Sequence, residues 1–206
     1  MPGVNENHQR LCPSEGWAEY LHGEVLPSLA ALAPLGEDVL EIGPGPGAAT
    51  EWLRHRTTHV TAIELDDEAV ARLRTRFAGT NVRVDRGDAT TLPYADDAFD
   101  AVGCFTMLHH VPTLPRQRAI VAEALRVLRP GGALLGSDSL ASPGLHAFPE
   151  GDTYNPLDPA VLVAMLRSLG FERLTVRIDD ALQFVAHKPA IVTDDQCQPA
   201  ERTDTP

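Results

Sequence analysis

Cysteine is scarce in this chain. Three occur in 206 residues, Cys12, Cys104 and Cys197, far apart and odd in number, with no C-x-x-C pair. That argues against a disulfide frame and against a zinc site, and it makes a reducing cytoplasm the default compartment. No apolar run approaches the roughly 20 residues of a membrane-spanning helix. The stretch Met1-Pro2-Gly3-Val4-Asn5-Glu6-Asn7 has neither a basic region nor an apolar core, so no signal peptide is expected there. Basic residues are few as well, 17 against 29 acidic, for a formal net charge of −12. Such a surface repels DNA, RNA and anionic lipid at long range, so neither a nucleic acid nor a membrane is expected as a partner. It favours a small partner molecule and does not disfavour a cationic one. Two nucleotide signatures are missing too. There is no G-x-x-x-x-G-K-[ST], and no G-x-G-x-x-G of the dehydrogenase type. Tyr154 is followed by Asn155-Pro156-Leu157-Asp158, so it supplies no Tyr-x-x-x-Lys pair for short-chain dehydrogenase chemistry.

What the chain has is a strand, a glycine turn and a helix in succession, from Val39 through Gly43-Pro44-Gly45-Pro46-Gly47 to Thr50. Val39, Leu40 and Ile42 form the apolar strand. Glycines at 43, 45 and 47 let the backbone take positive φ and let a ligand approach main-chain N–H groups with no Cβ in the way. Those groups lie at a helix N-terminus, which favours a negative group. No Lys or Arg stands in the turn, so the expected anion is modest, such as one carboxylate. Downstream, residues 59–66 read as a second strand ending in acids. A carboxylate about 20 positions past such a turn is where a ribose diol is held in doubly wound folds, and it can accept from two hydroxyls at once. Glu64 is the better candidate, because Asp66 and Asp67 suit the start of the next helix.

The remaining pattern predicts one α/β domain. Ser14 can cap a helix from about Glu15 to Leu26, with Trp17, Tyr20 and Leu21 on one face. Pro27 breaks or kinks it, and residues 28–33 continue it. Helices follow over 48–56 and 67–77, the latter with Val70, Leu73 and Phe77 buried. Residues 82–85 read as a third strand and 97–105 contain a fourth. Thr113 starts a helix whose buried stripe is Ile120, Val121, Ala124, Leu125 and Leu128. Pro130-Gly131-Gly132 stop it and turn into a fifth strand over 133–137. Asp158-Pro159 and Gly170 bracket another helix, with Val161, Leu162, Met165, Leu166 and Leu169 as its core face. Residues 171–178 and 181–187 read as a closing hairpin. No internal repeat is apparent.

Gly43 to Gly47, Glu64, Gly87-Asp88-Ala89, the stretch from Leu92 to Asp100, and Leu128-Arg129-Pro130-Gly131-Gly132 come in the order found in the class I S-adenosylmethionine-dependent methyltransferases. The chain most resembles their small-molecule, type 11 branch. The resemblance covers roughly residues 38 to 138. It implies a doubly wound, Rossmann-like, mostly parallel sheet of seven strands with a C-terminal antiparallel hairpin. The polar segment 1–13 is expected to be flexible and the patternless tail 189–206 disordered, which leaves a single domain, 14–188, that the resemblance makes a methyltransferase domain with a leading lid helix. The resemblance implies S-adenosyl-L-methionine as cofactor and no metal. The cofactor would be held by Glu41, Gly43, Gly45, Gly47, Glu64, Leu65, Asp88, Ala89 and Phe105. Asp88 would accept from the exocyclic amine of adenine and the Ala89 N–H would donate to a ring nitrogen, in preference to the other reading of Asp88 as the cap of a short helical turn.

Methyl transfer from a sulfonium needs collinear reactants in a dry pocket, and a base only where the acceptor keeps its proton near neutral pH. His109 and His110 are candidate bases at the pocket mouth, and Asp138 at the end of the fifth strand is another. Either histidine could instead shape the loop. Trp17, Tyr20, His146 and Tyr154 are candidate substrate contacts, with packing on the sheet edge as the other reading of the first two. The expected function is methylation of a small acceptor at O, N or C, a bacterial secondary metabolite among the options, by a monomer or homodimer. The alternative is a non-catalytic cofactor-binding regulator or partner.

Overall fold

The computed structural model describes residues 15–140, 155–179 and 181–191. The segments 1–14, 141–154 and 192–206 lie outside it, and with them the expectations for His146, Tyr154 and the two chain ends. The seven strands are β1 (Asp38–Ile42), β2 (His59–Glu64), β3 (Val82–Arg86), β4 (Phe99–Phe105), β5 (Leu128–Asp138), β6 (Glu172–Ile178) and β7 (Leu182–His187). They form one sheet in the order β3-β2-β1-β4-β5-β7-β6. All pairings from β3 to β5 are parallel, and β7 runs antiparallel to both of its neighbours. This is the expected mixed sheet with a closing hairpin. The chain builds outward from β1 to β3 and then crosses back to β4. The carboxyl ends of β1 and β4 therefore flank the topological switch point, where open α/β sheets bind ligands.

The helices are α1 (Glu15–Tyr20), α2 (Leu26–Ala30), α3 (Ala48–Leu53), α4 (Asp67–Arg76), α5 (Leu114–Val127) and α6 (Pro159–Leu169). Central parallel strands are covered on both faces, so their residues are apolar in succession. Leu40, Ile42, Val102 and Cys104 face one layer with Ile120, Val121, Leu162 and Leu166. Val39 and Ala101 face the other with Leu21, Val25, Leu29 and Leu53. Burying each Leu, Ile or Val of these layers contributes about 1.5–3 kcal/mol before entropy is counted. At the amino ends of the strands, the Asp100 carboxylate accepts from the Glu37 and Asp38 N–H groups at 2.9 Å. Arg129 bridges Asp100 and Asp38 at 2.6 and 2.9 Å, which ties β1, β4 and β5 together.

Four expectations change. The leading helix is not broken at Pro27. A π-helical turn, Leu21–Val25, widens it just before the proline, with the Leu26 N–H donating to the Leu21 carbonyl. Pro27 then stands in the first turn of α2, where its missing N–H costs least. The helix after the glycine turn ends at Leu53 rather than Arg56. Pro130-Gly131-Gly132 is not a turn between helix and strand. α5 ends at Val127, and β5 begins at Leu128 and carries the three residues as a bulge, pairing Leu128 with Phe99 and Ala133 with Ala101. A Cβ at Gly132 would lie 2.6 Å from the Asp100 carbonyl oxygen and 2.9 Å from that of Arg129. Finally, Val161 is exposed at the margin of its stripe, while Leu162, Met165 and Leu166 are buried. No helix among the described residues is long and apolar enough to cross a membrane.

Candidate active site

The glycine turn stands at the switch point, and its glycines serve different ends. Gly43, Gly45 and Gly47 have φ of 65°, 53° and 84°. A Cβ at Gly43 would press on the Met107 side chain at 3.0 Å, and one at Gly47 on the Phe77 ring at 2.8 Å. These two are dictated by packing. A Cβ at Gly45 would meet nothing within 4 Å, so the turn faces open space there.

Three carboxylates stand at or near the carboxyl ends of β1, β2 and β3. Glu41 is buried on β1 and its Oε2 accepts from the Thr50 hydroxyl at 2.5 Å. Burial pushes its carboxyl up to about 7, the Thr50 bond pulls it down, and the charge of Glu64 pushes it up further. Glu64 ends β2, and its Oε1 accepts from the N–H groups of Leu65 and Asp66 at 2.7 and 3.0 Å. Those two bonds set the carboxylate across the strand end. Asp66 caps α4 through the Ala69 N–H at 2.8 Å, as its position suggested. Leu65 keeps 46% of its surface exposed beside Glu64, an apolar face next to an acid. Asp88, after β3, accepts from the Thr90 N–H and hydroxyl at 2.9 and 2.7 Å. Its second oxygen accepts from Arg116 at 2.8 Å. Asp88 thus caps the short turn, the other of its two readings, and still presents an ionised carboxylate. Ala89 is partly buried against the core. The Phe105 ring folds back over Gly103, where a Cβ would lie 2.5 Å from it, so its side chain belongs to the core.

After β4 the chain enters a strained passage. Thr106 has φ of 52°, rare for a β-branched residue. Its N–H donates to the Ser137 carbonyl at 2.7 Å, which pins the turn to β5. A 3₁₀ turn, Leu108–His110, follows. His109 is buried, and its Nδ1 hydrogen-bonds Oδ1 of the equally buried Asp138. Asp138 also accepts from the backbone N–H of His109 at 3.2 Å and of Ser139 at 2.7 Å. His110 is partly buried, with its ring centroid 4.0 Å from that of His109. Gln117 donates to the Leu108 and Asn155 carbonyls at 3.0 and 2.9 Å, and the Asn155 N–H donates to His109 O at 2.7 Å. Burial pushes the Cys104 thiol well above its ordinary range, which leaves it unreactive.

Trp17 and Tyr20 lie with ring centroids 5.8 Å apart, partly buried against the apolar layer beneath the leading helix. His22 Nε2 donates to the Ala48 carbonyl at 2.7 Å and docks that helix on the first residue of α3. The structure therefore places Glu41, Gly45, Glu64, Leu65 and Asp88 at or just beyond the carboxyl ends of β1, β2 and β3, and His109 and Asp138 in one buried pair. Thr106, Arg116, Gln117 and Asn155 were not singled out in the sequence. Thr106 stands directly at the carboxyl end of a central strand, which is a usable signal. The other three had none. Among the described residues no group of three or more His, Cys, Asp or Glu side chains could hold a metal ion.

Residues 40–136 match the family described as the methyltransferase domain. A probable S-adenosylmethionine-dependent methyltransferase of Mycolicibacterium smegmatis is 34% identical over 144 residues, 66% of this chain and 52% of that protein. The 27-O-demethylrifamycin SV methyltransferase of Amycolatopsis mediterranei is 37% identical over 132 residues, 59% of this chain and 47% of that one. This chain spans about half the length of these curated relatives. The fold is similar to that of an S-adenosylmethionine-bound amino pentose methyltransferase from Micromonospora echinaspora, with a TM-score of 0.70 at 22% identity over 89% of this chain and 95% of that one. Motif order, sheet order and these matches agree: the chain belongs to the class I S-adenosylmethionine-dependent methyltransferases.

Proposed function

We propose that this protein transfers the methyl group of S-adenosylmethionine to a small-molecule acceptor. The observation that carries the reading is the open glycine turn at Gly45, with no Lys or Arg among its own residues and with Glu41, Glu64 and Asp88 at or near the ends of β1, β2 and β3; Arg76, which reaches the turn, is taken up by the Pro46 carbonyl at 2.6 Å. That donor set fits a ligand with an ammonium, a ribose diol and an exocyclic amine, and it opposes a polyphosphate. The turn's N–H groups suit the methionine carboxylate, and Glu41 the ammonium beside it. Glu64 suits the ribose hydroxyls, with Leu65 lying against the base. Asp88 suits the adenine amine and the Ala89 N–H a ring nitrogen. When bound, the cofactor supplies an activated methyl on a sulfonium, open to in-line displacement. The protein's share is to align the acceptor, exclude water and take a proton where the acceptor carries one.

His109 is sealed against Asp138 and holds the loop. His110, partly exposed beside it, is the residue we assign to take the acceptor's proton. The leading helix, pinned through His22, forms one wall of the acceptor side, with Trp17 and Tyr20 on it. A small acceptor accords with a relative named for rifamycin and another named for ubiquinone O-methylation. It accords also with the net charge of −12, which disfavours nucleic acid and anionic membrane. Cytoplasmic location and a monomer or homodimer complete the reading.

The test is Gly45→Val. A valine there enters the space reserved for the ligand and must adopt positive φ, at a local cost of about 1–2 kcal/mol. The variant should fold, by circular dichroism, and should lose S-adenosylhomocysteine binding by at least about tenfold. Unchanged binding would refute the site.

A further inference from the structure

Arg116 is the third residue of α5, which begins at Leu114. A helix N-terminus is the wrong end for a cation, and this first turn contains no acid to offset it. The Arg116 N–H is taken up by the Thr113 cap at 3.4 Å, while its guanidinium leaves the helix and reaches Oδ2 of Asp88 at 2.8 Å. Thr90 holds the other oxygen twice. Burial raises the Asp88 carboxyl, but the bonds from Thr90 and Arg116 outweigh it and keep the group below the ordinary carboxylate range. Three donors therefore hold one ionised carboxylate in one orientation: Thr90 fills both acceptor sites of Oδ1, and one site is left on Oδ2 beside Arg116. The pair also bridges the loop after β3 and the first turn of α5, the helix that follows β4. Both side chains are about two-fifths exposed, 43% and 41%. A surface pair of this kind contributes about 0–1 kcal/mol to stability, about what a cation at that helix end costs, so the pair is close to neutral for the fold.

We infer that Arg116 is a positioning residue for base recognition. It fixes the Asp88 carboxylate so that it accepts from an exocyclic amine and rejects a purine that carries a carbonyl at the same place. This rests on the cofactor reading above. A freely rotating Asp88 could turn away from a carbonyl oxygen at little cost, whereas a clamped one cannot, so the clamp converts a weak preference into a strong one.

The experiment compares calorimetric binding of S-adenosylhomocysteine and S-inosylhomocysteine to the full chain and to Arg116→Met and Arg116→Lys. The unaltered protein should prefer the adenosyl ligand by at least about tenfold. Arg116→Met should cut the preference to about threefold or less, with an unchanged melting temperature, and Arg116→Lys should restore part of it. A purely structural Arg116 would weaken both ligands alike and leave their ratio intact, and that result would overturn the inference. So would an unaltered protein that binds both ligands equally. Failure of the unaltered protein to bind either ligand would instead overturn the proposed function itself.

Discussion

Glu41 is 1% exposed, and its carboxyl is displaced from about 4.5 to about 7 chiefly by burial. Because the folded value is the higher one, the native state holds a proton that the unfolded chain has lost between those two limits. Stability is then full below pH 4.5, falls as pH rises toward 7, and levels off above it. The displacement corresponds to about 3 kcal/mol. Glu41→Gln should remove this slope, so the variant's urea stability relative to the unaltered protein should improve by about 3 kcal/mol from pH 4.5 to pH 8. A difference that does not change with pH would contradict the account. At this scale the sequence was informative where a residue stands at the end of a strand. The strand-end positions of Glu64 and Asp138 could be read because apolar runs mark where strands stop, while Asp88 was singled out by likeness to a family. Arg116 could not, because a cation on a polar helix surface looks the same whether it meets solvent or a carboxylate 28 positions away. Nor could the burial of His109 and the partial exposure of His110, which depend on the approach of β5.

Among the elements, those with local signals were legible. Thr113 caps α5 through the Arg116 N–H, and Asp158 caps α6 through the Ala160 and Val161 N–H groups at 2.8 and 3.0 Å. Gly170 closes α6 at φ of 103°. Each of these devices works within four residues of chain, so sequence alone carries it. The bulge in β5 does not. It exists because the Gly131 N–H donates to Lys188 O at 3.1 Å and the Lys188 N–H returns to Gly132 O at 2.9 Å, partners far along the chain. The same holds for the loop from Leu92 to Asp97. Arg126 donates to the Tyr94 and Leu92 carbonyls at 2.8 and 3.0 Å and so presses that loop onto α5. Gly132→Ala tests the bulge. Its Cβ would meet backbone oxygen rather than a yielding side chain, so a loss of about 1–3 kcal/mol is expected in urea denaturation. A neutral substitution would show that the register at Ala101 and Ala133 is not held by close approach.

For the whole molecule, strand order matters more than any one residue. The reversal between β1 and β4 brings the glycine turn, Glu64, Asp88 and the Thr106–His110 passage to one edge of the sheet. Their order along the chain made that architecture legible through its likeness to a family. Composition and periodicity alone would have reached only a parallel α/β domain. The π-helical turn before Pro27 and the docking of His22 on Ala48 depend on how the leading helix meets α3, and no local pattern announces them. The central claim is that this edge is an adenosyl site rather than a dinucleotide site. Calorimetric titration of the full chain with S-adenosylmethionine, S-adenosylhomocysteine and NADH tests it most directly. The account predicts saturable binding of both adenosyl ligands and none of NADH. Folded protein that binds NADH, or that binds neither adenosyl ligand, would contradict it.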